Sequence, residues 1–236
     1  MAKRLRTQRR GTGGSQYRSP SHRHVDDVRL PAMNEGEGVV KDLIHAPGRT
    51  SPLAVIDYDG KSDYQLAAEG VSVGQKVTVG GNAVKPGNVL TLANIPEGTA
   101  VHNIEKLPGD GGKFVKTAGT SATVVSRGSV VIVQMPSGEL KEFNPNCRAA
   151  VGIIAGNGRQ DKPFAKSGKK YHTLRSRSKA YFHVKGVAMN AVDHPHGGGS
   201  HPHVGGPSTI SRNAWPGQKV ARTPHSARQS SILFAP

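Results

Sequence analysis

The sequence predicts a mainly β protein in which an OB-fold barrel is followed by an SH3-like barrel, with extended basic arms at both ends. Three observations predict this fold. Short β-rich runs fill the middle of the chain. The 30 Gly and 16 Pro residues among 236 favour turns and short strands over long helices. Hydrophobic content is only 35% and aromatic content 5%, so a sizeable part of the chain is predicted to build no core.

The charge is distributed unevenly along the chain. Lys and Arg total 32 and Asp and Glu total 16, which gives a formal net charge of +16. Residues 1–30 carry +6, residues 31–105 carry −4, residues 106–157 carry +3 and residues 158–236 carry +11. Such a chain attracts polyanions, and nucleic acid is the expected partner. Because no apolar run approaches the roughly 20 residues of a membrane-spanning helix, no membrane partner is predicted.

The N-terminal extension, predicted over residues 1–34, begins with almost nothing to bury. Leu5 and Tyr17 are the only bulky apolar residues between Met1 and Val25. This segment alone is predicted to be disordered, because burial cannot offset the entropy of ordering it. Its bias toward Arg favours an arm that folds on a polyanion over a solvated tail, since guanidinium groups make bidentate contacts with phosphates.

The first barrel is predicted over residues 35–84. Four β-rich runs lie there, separated by Gly, Pro, Asn or Asp, and the Asp-Gly of "YDGK" indicates a hairpin. Short strands at this spacing suit a small closed barrel such as the OB fold. The predicted strands cover residues 38–46, 51–60, 62–70 and 75–81.

The second barrel is predicted over residues 99–160, after a proline-bounded linker over residues 85–98. Its size suits an SH3-like barrel, and "PSGE" is typical of a tight turn between two strands. The strand pattern then stops, so a basic, Gly- and His-rich extension is predicted over residues 161–236, with a short helix within residues 169–182. The predicted strands cover residues 99–107, 120–128, 130–135, 139–143 and 147–155.

The Gly-rich loop "PGDGGKF" (108–114) does not match a nucleotide-binding P-loop, which needs a different glycine spacing and a hydroxyl after its lysine. Two interpretations stay open. Its backbone N–H groups could approach phosphates, with Lys113 and Lys116 supplying positive charge. Alternatively, the stretch is a wide turn between domains.

A basic stretch over residues 166–179 interleaves cations with rings. A solvated charge run is one interpretation. The rings favour a second, in which they provide a stacking surface for unpaired bases of structured RNA. The cations are Lys166, Lys169, Lys170, Arg175, Arg177 and Lys179, and the rings among them are Tyr171 and His172.

The histidine stretch "NAVDHPHGGGSHPHVGG" (190–206) allows three interpretations. Its two H-x-H pairs could bind zinc, but prolines stiffen each pair and no core is evident to hold the imidazoles. A hydrolytic pair of Asp193 with His194 is disfavoured, because adjacent side chains diverge and no G-x-S-x-G motif accompanies them. A flexible segment threaded through RNA is favoured, since its glycines permit close approach of the backbone. The histidines are His194, His196, His201 and His203.

Few residues suit covalent catalysis. The single cysteine, Cys147, excludes an internal disulfide and a Cys-based zinc ribbon. Nothing near it in sequence would lower the pKa of its thiol, so it is predicted to be a small packed or half-buried residue rather than a nucleophile.

Five stretches carry a resemblance to a known family. They are "QRRGTGGSQYRSPSHR" (8–23), "PGDGGKF" (108–114), "MPSGELKEFNPNCRAAVGIIAGNGRQDKP" (135–163), "KGVAMNAVDHPHGGG" (185–199) and "STISRNAWPGQKV" (208–220). In content and order they resemble the universal large-subunit ribosomal protein two family, in its archaeal/eukaryotic-type branch. The hallmark "RGVAMNxVDHPxGGG" of that family is similar to residues 185–199.

The resemblance implies a structural constituent of the large ribosomal subunit in the cytoplasm, built from an OB-fold and an SH3-like barrel. It implies a primary ribosomal-RNA-binding protein near the peptidyl-transferase region that supports subunit association, tRNA binding and translation. Neighbouring ribosomal proteins and small-subunit RNA at a bridge are further expected partners. No cofactor, metal or small-molecule substrate is predicted.

The resemblance also gives His194 a disputed role in peptide-bond formation, a reaction generally assigned to the RNA. The chain is therefore predicted not to be an enzyme, and His194 is predicted to bind RNA. Two alternatives remain from the residues alone. One is a metal-dependent enzyme that uses the His194–His203 cluster, and the other is a non-specific DNA-binding protein.

The predicted RNA-binding residues are cations of both arms and of the Gly-rich loop, together with polar and glycine residues of the histidine stretch. In chain order they are Arg4, Arg6, Arg9, Arg10, Arg18, Arg23, Lys113, Lys116, Arg159, Lys162, Lys166, Lys169, Lys170, Arg175, Arg177, Lys179, Asn190, His194, Gly197, Gly198, Gly199 and Arg212.

Overall fold

A computed structural model describes residues 3–159, 161–200, 202–204 and Asn213. The chain divides into two compact units. The strand unit comprises Ser21–Lys166, and the terminal unit combines the described parts of Met1–Pro20 and Ser167–Pro236. The mainly β prediction is confirmed, because all ten strands lie in the strand unit and the described chain has only two short α-helices. Neither helix has the length and apolar character needed to cross a membrane.

Nine of the ten strands overlap the predicted strand segments, and the tenth, β5, lies within the predicted linker. The strands are β1 (Gly36–Ile44), β2 (Leu53–Tyr58), β3 (Lys61–Leu66), β4 (Lys76–Val79), β5 (Val89–Thr91), β6 (Ala100–His102), β7 (Ala122–Ser126), β8 (Val131–Gln134), β9 (Leu140–Phe143) and β10 (Arg148–Val151).

Backbone hydrogen bonds join these strands into one sheet in the order β3-β2-β1-β4-β5-β10-β6-β7-β8-β9. Every pair is antiparallel except β4 with β5, which meet in a parallel pair at Val79 and Val89. The predicted linker therefore contributes a strand in the middle of the sheet. The reason is its apolar content between the two prolines, where Val89, Leu92 and Ile95 are fully buried.

Two predicted turns are confirmed. Asp59 and Gly60 join β2 to β3 with φ values of 49° and 87°, which are the positive values that a tight hairpin turn requires at both central residues. The "PSGE" turn joins β8 to β9, where the N–H of Met135 donates to the carbonyl of Glu139 at 2.8 Å. Short-range sequence signals were sufficient for both hairpins.

Different clusters of buried residues lie toward the two ends of the sheet. One core lies among β5 to β10 and includes Cys147, which is fully buried and therefore packed rather than half-buried. Burial raises the pKa of its thiol, and the charge of Glu105 raises it further. The other core is centred on β1, β2 and β4, includes Leu30, and extends to Val89 of β5 and Ala150 of β10. Leu30 and Val28 thus anchor the end of the predicted N-terminal extension in the strand unit.

The terminal unit contains α1 (Arg6–Gly11) and α2 (Ser167–Ser176). Helix α2 overlaps the predicted helical segment. The N-terminal segment was predicted to be disordered alone, but within this unit it contacts the C-terminal extension. The N–H of Lys3 donates to the carbonyl of Val192 at 2.9 Å, its ammonium lies 3.4 Å from Asp193, and Leu5 is buried. These contacts supply the burial that the isolated segment lacks.

Candidate nucleic-acid interface

The Gly-rich loop of the strand unit is closed by two carboxylates. The two oxygens of the buried Glu105 accept hydrogen bonds from the N–H groups of Gly109 and Gly111, each at 3.2 Å. One oxygen of Asp110 accepts from the N–H of Gly112 at 3.0 Å. Because these amides already have partners inside the protein, they do not form an open cradle for phosphate. The structure favours the turn interpretation.

Arg148 completes the arrangement around Glu105. Its Nη2 lies 2.8 Å from Oε1 of Glu105, and its Nη1 donates to the carbonyls of Pro31 and Met33, each at 2.9 Å. Burial alone would raise the pKa of the Glu105 carboxyl, but hydrogen bonds and charge from Arg148 outweigh burial and hold that pKa below its usual value. The pair therefore holds the Gly-rich loop and the end of the N-terminal extension against β10.

Lys113 and Lys116, the two predicted phosphate contacts of this loop, lie in different surroundings. Lys113 is exposed. Lys116 is half-buried, and its ammonium donates to the carbonyls of Val28 at 2.9 Å and Gly112 at 2.8 Å. Burial lowers the pKa of Lys116, and the charges of Arg49 and Lys113 lower it further. Lys116 thus connects two segments of the protein through its ammonium group.

Most other predicted cations are exposed. Arg10 and Arg177 are half-buried, and Arg212 lies outside the described residues. Helix α2 contains no buried residue at all, so it has no side committed to a core. The exposed cations are Arg4, Arg6, Arg9, Arg18, Arg23, Arg159, Lys162, Lys166, Lys169, Lys170, Arg175 and Lys179.

The described part of the histidine stretch folds back on itself instead of forming an extended strand. The carbonyl of Asn190 accepts from the N–H groups of Asp193 at 2.9 Å and His194 at 3.2 Å. The N–H of Gly197 donates to the carbonyl of His194 at 2.9 Å. A Cβ atom at Gly197 would lie 2.3 Å from the carbonyl oxygen of Asn190, so this close turn requires glycine.

The imidazole of His194 is held by its neighbours in this loop. Its Nδ1 accepts from the backbone N–H of His196 at 3.1 Å, and its ring lies so close to Gly186 that a Cβ there would be 2.2 Å from Cε1. Burial lowers the pKa of His194, and the nearby His196 lowers it further. Because Nδ1 accepts the hydrogen bond from His196, the neutral form of the ring carries its proton on Nε2. Asp193 pairs with Lys3 and not with this imidazole.

Within the part of the chain that the structure describes, no group of three or more His, Cys, Asp or Glu side chains is placed to hold a metal ion. His201 lies outside that part. The described His194 and His196 rings are neighbours, with centroids 5.0 Å apart.

Comparison with known proteins covers most of the chain. A family description "Ribosomal Proteins L2, RNA binding N-terminal domain" matches residues 3–79, and "Ribosomal Proteins L2, C-terminal domain" matches residues 85–221. The chain belongs to the ribosomal protein L2 family. The resemblance seen in its motifs is thereby confirmed.

Curated archaeal relatives extend the match to L2-family proteins over nearly their full length. The large ribosomal subunit protein uL2 of Thermoplasma acidophilum is 52% identical over 224 residues, which cover 94% of this chain and 95% of the relative. The uL2 proteins of Archaeoglobus fulgidus and Methanothermobacter thermautotrophicus are 52% and 50% identical, over 93% of this chain and 95% of each relative.

Sequence reasoning missed two structural features of this L2-family chain. The Glu105–Arg148 pair joins residues 43 positions apart, and neither residue has a local signal for burial. Gly186 supports the His194 ring at a distance of eight residues along the chain. The glycine at the start of "GVAMN" was a usable signal for a close approach, but the residue that approaches it could not be read from the sequence.

Proposed function

We propose that this chain is a structural, ribosomal-RNA-binding constituent of the large ribosomal subunit, and that it resides with that subunit in the cytoplasm. The observation that carries the proposal is the run of cations without intervening acids in the C-terminal extension. Eight Lys or Arg residues and no acid lie between Asp161 and Asp193. Helix α2 within this stretch buries none of its side chains.

The proposed mechanism is electrostatic. Exposed cations of both extensions replace the counterions of RNA phosphates, and the entropy of the released ions drives binding. The proposed contacts are all the predicted RNA-binding residues, with one reassignment. Lys116 acts mainly by positioning the Gly-rich loop, because two of its three N–H groups already bind carbonyls.

The compact loop that contains Asn190, His194, Gly197, Gly198 and Gly199 is proposed to contact RNA near the peptidyl-transferase region. Its neutral His194 is suited to donate a hydrogen bond from Nε2 to a phosphate or 2′-hydroxyl. No catalytic residue is assigned. Support of subunit association, tRNA binding and translation, with neighbouring ribosomal proteins and small-subunit RNA as partners, is part of the same proposal.

The two halves of the sheet are proposed to correspond to an OB-fold barrel over residues 35–84 and an SH3-like barrel over residues 99–160. Two different clusters of buried residues, one among β5 to β10 and one centred on β1, β2 and β4, support this division. Residues 1–34 and 161–236 are proposed as RNA-binding extensions, and residues 85–98 as the connection that also supplies β5.

The salt dependence of RNA binding tests the proposal. For a fragment of large-subunit ribosomal RNA, log K should fall linearly with log salt concentration, by about 0.7–0.9 per phosphate contact. An affinity independent of salt would contradict the proposal. Equal affinity for duplex DNA of the same length would favour the non-specific DNA-binding alternative, because stacking on unpaired bases and 2′-hydroxyl contacts would then contribute nothing.

A further inference from the structure

We infer that four neighbouring rings of the terminal unit form a stacking site for unpaired RNA bases. The ring cluster consists of Tyr171, His172, Tyr181 and Phe182. The inference rests on the proposed RNA-binding function and adds that this surface binds bases that are unpaired. None of the four rings is among the predicted RNA-binding residues, although Tyr171 and His172 were named as rings of a stacking surface.

Tertiary structure brings the four rings together. Tyr171 and His172 lie on α2, whereas Tyr181 and Phe182 follow the helix. The ring centroid of Tyr171 lies 5.4 Å from that of His172 and 6.3 Å from that of Tyr181, and the centroids of Tyr181 and Phe182 are 5.7 Å apart. Each of these pairs meets edge to face, at interplanar angles of 77° to 83°. Such contacts leave part of the ring faces uncovered for a further flat group.

The cluster is exposed and does not belong to a core. The exposed fractions of Tyr171, Tyr181 and Phe182 are 44%, 37% and 66%. Isolated exposed apolar side chains are common on proteins, but several large rings in mutual contact at the surface indicate a binding site. Phe182 has no polar atom that would be satisfied by water, so its exposure is the least favourable of the three in the absence of a partner.

The charge around the cluster selects its occupant. The ammonium of Lys170 lies 6.0 Å from the centre of the Tyr181 ring, and the chain from residue 162 to residue 192 contains no acid. A partner must therefore combine negative charge with flat apolar faces. Nucleic acid with unpaired bases has both, whereas a fully paired duplex hides its base faces in the stack.

Matched substitutions at Phe182 test the inference in the full-length chain. The probes are an RNA duplex interrupted by an unpaired internal loop and the same duplex fully paired. Phe182→Leu retains an apolar side chain but removes the π face, and Phe182→Trp retains a stacking ring. Because the stacking of one base on an aromatic side chain contributes substantially to binding affinity, Phe182→Leu should weaken binding to the looped RNA by on the order of 10-fold. Phe182→Trp should retain the affinity of the original chain.

The salt dependence separates stacking from charge. Phe182→Leu should leave the slope of log K against log salt unchanged, whereas Lys170→Met should reduce it by roughly 0.7, the contribution of one phosphate contact on a single strand. The inference is overturned if Phe182→Leu binds the looped RNA as tightly as the original chain, or if Leu and Trp weaken binding equally. It is also overturned if the loss is the same on the fully paired duplex. Failure of the original chain to bind either RNA would instead refute the proposed function.

Discussion

Neutralising Glu105 should destabilise the folded chain more than any single surface substitution. Glu105 is fully buried, and both of its carboxylate oxygens act as hydrogen-bond acceptors. The donors are the guanidinium and backbone N–H of Arg148 and the N–H groups of Gly109 and Gly111. In Glu105→Gln, one of the oxygens becomes an NH₂ group that faces such donors and cannot accept from them.

The size of the effect follows from two losses. Arg148, of which only 8% is exposed, would keep its guanidinium in the interior without its counter-charge. Breaking one partner of a buried ion pair costs about 3–5 kcal/mol, which includes the donors left unpaired. The free energy of unfolding of a typical domain is only about 5–15 kcal/mol, so Glu105→Gln should retain its fold with a much reduced margin.

Urea denaturation followed by circular dichroism measures this loss. Glu139→Gln is the matched control, because Glu139 is exposed and its change should stay within about 0.5 kcal/mol. The double variant Glu105→Gln with Arg148→Met removes both charges, so it should lose less stability than the sum of the two single variants. A Glu105→Gln chain as stable as the Glu139→Gln control, or strictly additive losses, would refute the reasoning.

Three further outcomes follow from the structure. Gly186→Ala should displace the His194 ring, because the new Cβ would lie 2.2 Å from its Cε1, and NMR of that imidazole should show a mixture of tautomers. Burial lowers the pKa of His102 below its ordinary value of 6.5. The stability that the neutral ring contributes should therefore be fully present above that value and be lost as the pH falls toward the folded-state pKa. Thermal melts from about pH 7.5 to about pH 5.5 would show this loss. Lys116→Met should lower the free energy of unfolding by about 1–3 kcal/mol in urea, because it removes two hydrogen bonds from a charged donor.

Each of these outcomes has a control in the same chain. Gly168→Ala adds a Cβ with no atom within 4 Å and should leave the His194 signals unchanged. His102→Asn places an amide donor at the position of Nδ1, which bonds the carbonyl of Gly152, but cannot titrate, so its melting temperature should depend less on pH. Lys113→Met alters an exposed ammonium and should reduce only the salt slope of RNA binding. Stability losses equal to those of Lys116→Met would contradict the positioning role of Lys116.

Local sequence patterns predicted most of the strands because those patterns depend on neighbours along the chain. The Asp59–Gly60 turn needs only two residues that tolerate positive φ, and it was predicted correctly. Segment 85–98 was predicted as a linker from its prolines. Its role in the sheet depends on pairing of Val89 with Ala150, which is 61 positions away and leaves no signal in the local pattern.

The sequence by itself determined the charge distribution, the β-rich middle, the hairpins and the family of this chain. These properties depend on composition and on short motifs, which do not require distant residues to meet. The tertiary structure decided which polar groups and rings remain available to bind a partner and which are bonded within the protein. It closed the Gly-rich loop on Glu105, directed Lys116 to backbone carbonyls, and brought Tyr171 to Tyr181 at the surface. Burial and hydrogen-bond partners come from segments remote in sequence. For this reason Lys113 is exposed, whereas the ammonium of Lys116, three residues further on, binds the carbonyl of Val28.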